Sequence, residues 1–190
     1  LFKSLKTHDV KVIGRRYFVT NSFDGILTSL GIVIGSIVVG VDQGGDIIRI
    51  GAGAAVGLGL SGVWGVYEVE RAERRRELLE IEEAMLADLS DTDLADNKRL
   101  GVLWNTFLSG LGPIVGCFTP LLPFTLANRL VSIRTAAFLS VLVAMLLLFV
   151  MGAYMGKISR RSLVVSGARM LLAGVAAVTV LLLLHHYTSP

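Results

Sequence analysis

Five long apolar runs constrain this chain more than any other feature of its sequence. They cover approximately residues 22–41, 47–67, 100–124, 135–155 and 163–185. A helix that crosses a bilayer needs about 20 mostly apolar residues, and each run is close to that length. Strands of this length are not seen in globular sheets, and membrane barrels show short alternating segments instead. The sequence therefore predicts an all-α membrane protein with five transmembrane helices.

The composition agrees with this class and argues against others. The mean hydropathy is +0.69, and 53% of the residues are hydrophobic, above the roughly 45–50% that is usual in soluble domains. The formal charge of +3 does not require a nucleic-acid partner, because membrane proteins collect Lys and Arg on cytoplasmic loops. The sequence has no GxSxG, HExxH or phosphate-binding glycine motif, so no enzymatic activity is predicted.

The positions of lysine and arginine predict the orientation in the membrane. Fourteen lie in the N-terminal arm and in the loops after the second and fourth runs, against three on the opposite side. Cytoplasmic loops are enriched in these residues, so the N-terminus is predicted inside and the C-terminus outside. The predicted organisation is a basic arm (1–20), transmembrane helices one and two (21–67), a cytoplasmic helical loop (68–99), and transmembrane helices three to five with a short tail (100–190). The arm fits either an interfacial helix over 6–17 or a solvated segment.

The second apolar run leads into a charged segment that is also predicted to be helical. Residues 67–89 are rich in strong helix formers and contain no glycine or proline. Helix two is therefore expected to extend into the cytoplasm. Residues 89–97 (LSDTDLADN) then supply turn and helix-cap residues before helix three.

Polar residues open the first apolar run, at Asn21 and Asp24. A carboxylate in lipid costs about 3 kcal/mol or more, so such a group usually faces a pore or a partner. Asn, Ser and Asp are also common at helix N-termini, so a helix cap explains the same pattern. The spacing leaves both interpretations open.

Acidic residues recur at helical spacing in the predicted extension of helix two, at Glu70, Glu73, Glu77 and Glu80. Carboxylates on successive turns can share one divalent cation. Arginines interleave with them, and Arg74 follows Glu70 at the four-residue spacing of a helical ion pair. A metal-binding helix and a solvated helix with salt bridges both fit this pattern.

Glycine pairs and prolines mark the first three runs. GxxxG pairs let membrane helices approach closely, so tight packing of these three helices is predicted. The pairs are Gly31–Gly35, Gly53–Gly57 and Gly112–Gly116. Three prolines are expected to kink or interrupt helix three and to free backbone carbonyl groups. They are Pro113, Pro120 and Pro123, and the polar Asn105 lies in the same run.

The order of these motifs resembles the vacuolar iron transporter family, which includes prokaryotic members. The resemblance covers nearly the whole chain. It rests on four segments: 21–31 (NSFDGILTSLG), 59–70 (GLSGVWGVYEVE), 112–124 (GPIVGCFTPLLPF) and 167–177 (GARMLLAGVAA).

The resemblance implies a homodimer in the lipid bilayer that moves Fe²⁺ or Mn²⁺ out of the cytoplasm in exchange for protons. The metal is then the transported substrate and no cofactor is expected. The family's helix-one aspartate corresponds to Asp24, and its acidic cytoplasmic region corresponds to 68–88. We expect the four glutamates of that region to collect the metal and Asp24 to receive it, with Asn21, Glu68 and Asn105 along the transport pathway. Protonation of Asp24 or Glu68 from the side opposite the cytoplasm would release the metal. A prokaryotic cell membrane is favoured over a vacuolar one.

Two departures from the family pattern separate this chain from plant-type members. The cytoplasmic loop is too short for their several helices. Leu58 also stands where a methionine is expected, so a preference for iron over manganese does not carry across. The alternative function is a membrane scaffold or regulatory subunit that docks a basic partner through the acidic helix.

Overall fold

Five membrane-length helices make up the described part of the protein. The structure, a computed structural model, describes residues 2–86, 93–127 and 130–188, with side chains except at 2–9, 11, 93–98, 184–186 and 188. The helices are α1 (Phe2–Val39), α2 (Gly44–Met85), α3 (Asp93–Leu121), α4 (Ile133–Ile158) and α5 (Leu163–Thr188), with a 3₁₀ turn at Leu122–Thr125 after α3. Each is long and apolar enough to cross a membrane, and none of the described ranges forms a strand. The prediction of an all-α, multi-pass membrane protein is confirmed.

Helix α1 corrects one interpretation of the polar residues near its middle. It starts at Phe2, so the predicted arm and the first apolar run form one continuous helix. Asn21 and Asp24 are therefore interior helical residues, and the helix-cap interpretation is wrong.

The C-terminal end of α1 depends on a glycine. Gly40 has a φ of +85°, a left-handed conformation that glycine adopts without steric cost. The amide of Gly40 donates to the carbonyl of Ile37 at 3.2 Å, and that of Val41 donates to Ser36 at 2.9 Å. This pair of bonds is a Schellman motif, and it satisfies carbonyls that the helix end would leave unpaired.

Helix α2 is much longer than a membrane span requires. Its 42 residues correspond to about 63 Å at the usual helical rise, whereas the hydrocarbon core is about 30 Å thick. Helix α2 ends just before Leu86, which adopts a left-handed φ of 51°. The backbone amide of Leu86 donates a hydrogen bond to the carbonyl of Glu82. Residues 87–92, which include part of the predicted turn at 89–97, lie outside the described residues.

The first three helices pack together, as predicted, with α3 between α1 and α2. Of the predicted glycine pairs, the one on α3 forms a contact within the protomer. A methyl group on Gly112 would lie 2.7 Å from the carbonyl oxygen of Phe18, and one on Gly116 would overlap that of Ser22. A methyl group added at any glycine of the pairs on α1 and α2 would have no neighbouring atom within 4 Å, so these pairs are not what packs the three helices within the protomer. They are Gly31, Gly35, Gly53 and Gly57.

Glycines outside the predicted pairs make the remaining close contacts. On α1, a methyl group at Gly25 would lie 2.5 Å from the carbonyl oxygen of Pro113. Between α2 and α3, a methyl group at Gly62 would lie 2.9 Å from the carbonyl oxygen of Ser109. Membrane helices approach closely where small residues let their backbones meet.

Two of the three prolines expected to kink or interrupt helix three lie inside the continuous helix α3. Helix α3 continues through Pro113 and Pro120 as far as Leu121. The 3₁₀ turn that includes Pro123 then follows. A proline removes one intrahelical hydrogen bond and frees the carbonyl four residues earlier.

Candidate functional site

The carboxylate of Asp24 lies on the surface of the protomer, near the middle of a membrane helix. The candidate span of α1 runs from Val12 to Val39, and Asp24 is exposed about halfway along it. Within the described ranges, the side chain of Asp24 has neither a hydrogen bond nor an ion pair. A charged group at this depth is costly in lipid, so water, a cation or a second protein must surround it.

A second carboxylate, that of Glu70, is buried where α1, α2 and α3 meet. Glu70 is 5% exposed. Its Oε1 accepts a hydrogen bond from the hydroxyl of Tyr17 at 3.2 Å, and its Oε2 accepts one from the amide of Asn105 at 3.1 Å. Arg74 places its Nε 3.5 Å from Oε2. Buried charges are stable when they are paired and hydrogen-bonded, so this group ties three helices together.

Asn105 donates to Glu70 on one side and packs closely against α1 on the other. It is fully buried, and its Oδ1 has no hydrogen-bond partner among the described residues. A methyl group on Gly14 of α1 would lie 2.8 Å from that oxygen, so a glycine lets α1 approach closely here. The amide of Asn105 is thereby directed at Glu70.

Asn21 satisfies the carbonyl that Pro113 frees. Pro113 cannot donate to the carbonyl of Ser109, which stands four residues earlier. The side-chain amide of Asn21 donates to this carbonyl at 3.0 Å and lies 2.6 Å from the hydroxyl of Ser109. That hydroxyl donates in turn to the carbonyl of Gly62 at 2.9 Å. One side chain on α1 thus connects α3 and α2 at the position of the proline.

Two of the acidic side chains of α2 beyond Glu70 form ion pairs with arginines. Arg74 lies 2.9 Å from Glu77, and Arg76 lies 3.0 Å from Glu80. The predicted pair of Glu70 and Arg74 is confirmed. No three described His, Cys, Asp or Glu side chains come close enough together to hold a metal ion.

The predicted site residues divide into two groups. Asn21, Asn105 and Glu70 lie in the hydrogen-bonded layer between the helices. Asp24 and Glu68, like Glu73 and Glu80, are exposed on the protomer surface, and Glu77 is half-exposed there beside Arg74. Sequence reasoning missed three members of the layer: Gly14, Tyr17 and Ser109. Of these, Ser109 had a signal in its position four residues before a proline.

Removing the Glu70 carboxylate is expected to destabilise the helix bundle strongly. Glu70→Ala leaves Tyr17 and Asn105 without their acceptor, so we expect a loss of about 2–3 kcal/mol in the free energy of unfolding. Glu80→Ala, on the same helix, removes an exposed ion pair and should cost less than about 1 kcal/mol. Denaturant titration of the detergent-solubilised protein measures both. Equal effects would contradict the structural role of Glu70.

Comparison with known proteins places the chain in a family. Residues 83–185, more than half of the chain, match the VIT family. An uncharacterized protein of Methanocaldococcus jannaschii is 30% identical over 171 residues, which cover 88% of this chain and 86% of that protein. The match includes α3, α4 and most of α5, and the relative extends the similarity over most of the chain. This chain therefore belongs to the VIT family, the vacuolar iron transporters.

Proposed function

We propose that this protein exports Fe²⁺ or Mn²⁺ from the cytoplasm of a prokaryotic cell in exchange for protons. Membership of the VIT family indicates a membrane metal transporter. The observation that carries the finer proposal is Asp24, a carboxylate exposed halfway along a membrane helix. A carboxylate binds either a divalent cation or a proton, so a single group can serve both sides of an exchange.

The proposed orientation places the N-terminus and the far end of α2 in the cytoplasm. The distribution of lysine and arginine supports it, and the length of α2 supports an extension beyond the membrane. In this orientation the acidic residues of α2 meet cytoplasmic metal first. The exposed or half-exposed ones are Glu73, Glu77 and Glu80, whereas Glu70, the first of the four predicted glutamates, is buried against α1 and α3. Glu77 and Glu80 each form an ion pair with an arginine. A metal cation therefore has to compete with a guanidinium for these carboxylates, which favours weak and exchangeable binding.

A homodimer completes the proposed pathway. Asp24, Gly31 and Gly35 are spaced by seven and four residues, which puts them on one side of α1. Both glycines have open space around them, and small residues are what close helix contacts in membranes require. A second protomer against this face brings two Asp24 carboxylates together and shields them from lipid. Glu68 is exposed on α2, two residues before Glu70, where a metal leaving the acidic residues of α2 could reach it.

Enlarging the open glycines of α1 is expected to separate the protomers without unfolding them. Leucine at both Gly31 and Gly35 meets no atom of its own protomer at the first added carbon, so the predicted result is a folded monomer. Ala176→Leu, which enlarges an exposed small residue of α5, should leave the dimer intact. Light scattering on the detergent-solubilised protein measures both masses. A dimer that survives the double substitution would contradict this interface.

Uptake of ⁵⁴Mn²⁺ or ⁵⁵Fe²⁺ by proteoliposomes that hold the full chain tests the proposed function. Uptake above that of protein-free liposomes supports a transporter. A folded dimer that moves neither metal would contradict it and would favour the scaffold, which needs no carboxylate inside the bilayer.

A further inference from the structure

The C-terminal half of the chain carries positive charge with no acidic residue to balance it. Asp96 is the last acidic residue, and eight lysines and arginines follow it between positions 97 and 190. Four of the eight lie at or near the connection between α4 and α5. They are Lys157, Arg160, Arg161 and Arg169, and we call them the basic cluster.

All four side chains of the basic cluster are exposed. None of the four forms an ion pair with another side chain of the described residues. A carboxylate of the same protomer therefore does not neutralise it within the described ranges. Its exposed cationic groups are therefore available to an anion from outside the protomer.

Arg169 is the most informative member, because it lies within α5, inside the candidate membrane span, and not in the connection between the helices. It stands six residues after the start of α5 at Leu163, a depth of about 9 Å. Val165 and Leu172, at helical spacing on either side of it, are 59% and 68% exposed. This stripe therefore faces lipid. An arginine in such a stripe directs its long side chain toward the headgroups, where its charge is solvated.

The turn before α5 holds two more cationic residues at the same membrane face. Arg160 has a left-handed φ of 52°, an uncommon conformation for a residue with a side chain. The amide of Arg161 donates to the carbonyl of Gly156 at 2.9 Å, and that of Arg160 donates to Lys157 at 3.3 Å. This is the same Schellman geometry that ends α1. It makes the connection short and keeps Arg160 and Arg161 next to the end of α4.

We propose that the basic cluster binds the phosphate of an anionic phospholipid, in the leaflet where α4 ends and α5 begins. Guanidinium groups suit this ligand because they donate two parallel hydrogen bonds to phosphate oxygens. The lipid-facing side chains of Val165 and Leu172 lie beside Arg169 and contact the acyl chains. This combination of phosphate and hydrocarbon contacts selects a lipid over free phosphate. The site does not depend on the proposed transport function.

Native mass spectrometry of the full-length protein, with added phosphatidylglycerol or phosphatidylcholine, tests this site. Wild-type protein should retain phosphatidylglycerol in preference to phosphatidylcholine. Arg169→Gln should reduce that preference about fivefold, the effect expected for one basic residue near an anionic surface. Arg169→Lys should keep most of it. The matched control is Arg134→Gln, an exposed arginine at the other end of α4, about 35 Å from Lys157 along the helix, which should keep the full preference.

Three results would overturn the proposal. The first is an equal lipid preference in Arg169→Gln, Arg134→Gln and wild type. The second is an unchanged preference in Arg169→Gln together with loss of the dimer, which would assign Arg169 to a carboxylate of a second protomer. The third is displacement of phosphatidylglycerol by millimolar inorganic phosphate, which would assign the cluster to the free anion. Circular dichroism of Arg169→Gln shows that the variant is folded in each case.

Discussion

Asp24→Asn is expected to reduce metal flux through proteoliposomes to the level of protein-free liposomes. Asparagine has nearly the same shape, so the contact of the neighbouring Gly25 with Pro113 should persist and the bundle should fold. The amide carries no negative charge and does not exchange a proton for a cation, so both halves of the proposed exchange are lost. Radiometric uptake of Mn²⁺ into liposomes with a fixed protein content measures the effect.

The matched control for this variant is Asp46→Asn. Asp46 is also an aspartate of a membrane-length helix and its side chain is half-exposed, but it lies in the first turn of α2 and pairs with Arg49 at 3.0 Å. Its exposed ion pair contributes little to stability, and it lies outside the proposed pathway, so flux should be unchanged. Normal transport by Asp24→Asn, or an equal loss in both variants, would contradict the role assigned to Asp24.

Gly116→Leu is expected to prevent the packing of α1 against α3. The first carbon of any side chain at this position would overlap the backbone carbonyl of Ser22, and two more backbone atoms of Ser22 lie at 3.0 and 3.1 Å. Backbone atoms on two packed helices do not move aside cheaply, so we expect a loss of more than about 3 kcal/mol in the free energy of unfolding. Denaturant titration in detergent, followed by circular dichroism, measures it.

Gly65→Leu is the control for this substitution. Gly65 is also a glycine inside a membrane-length helix, but no atom lies within 4 Å of the position of its added carbon. Leucine has a higher helix propensity than glycine by up to about 1 kcal/mol, so this variant should be neutral or slightly more stable. A similar loss of stability in both variants would mean that close α1–α3 contact is not what Gly116 provides.

The number of helices was predictable from the sequence because it depends on hydropathy and length alone. Each apolar run exceeds what a strand or a soluble helix needs, so the five spans follow without knowledge of any tertiary contact. The bounds were less accurate where a helix continues through polar residues. The first run was assigned from residue 22, whereas α1 begins at Phe2, because the mixed residues before it show no apolar periodicity.

The contacts between helices were less predictable, for a physical reason. A GxxxG pair shows that a helix has room for a close neighbour, but it does not say which neighbour occupies it. Gly112 and Gly116 meet α1, while the pairs on α1 and α2 face open space. The same limit applies to Glu70. Its pairing with Arg74 follows from helical spacing, whereas its bonds to Tyr17 and Asn105 depend on how three helices pack.

The most direct test of the account is the coupling of metal and proton movement in one preparation. Proteoliposomes that hold wild-type protein and a pH-sensitive dye are given external Mn²⁺ under an imposed pH gradient, with the lumen acidic. The account predicts Mn²⁺ uptake that requires the gradient, is accompanied by a rise in lumenal pH, and is absent with Asp24→Asn. Uptake that ignores the gradient and leaves the lumenal pH unchanged would contradict proton exchange at Asp24.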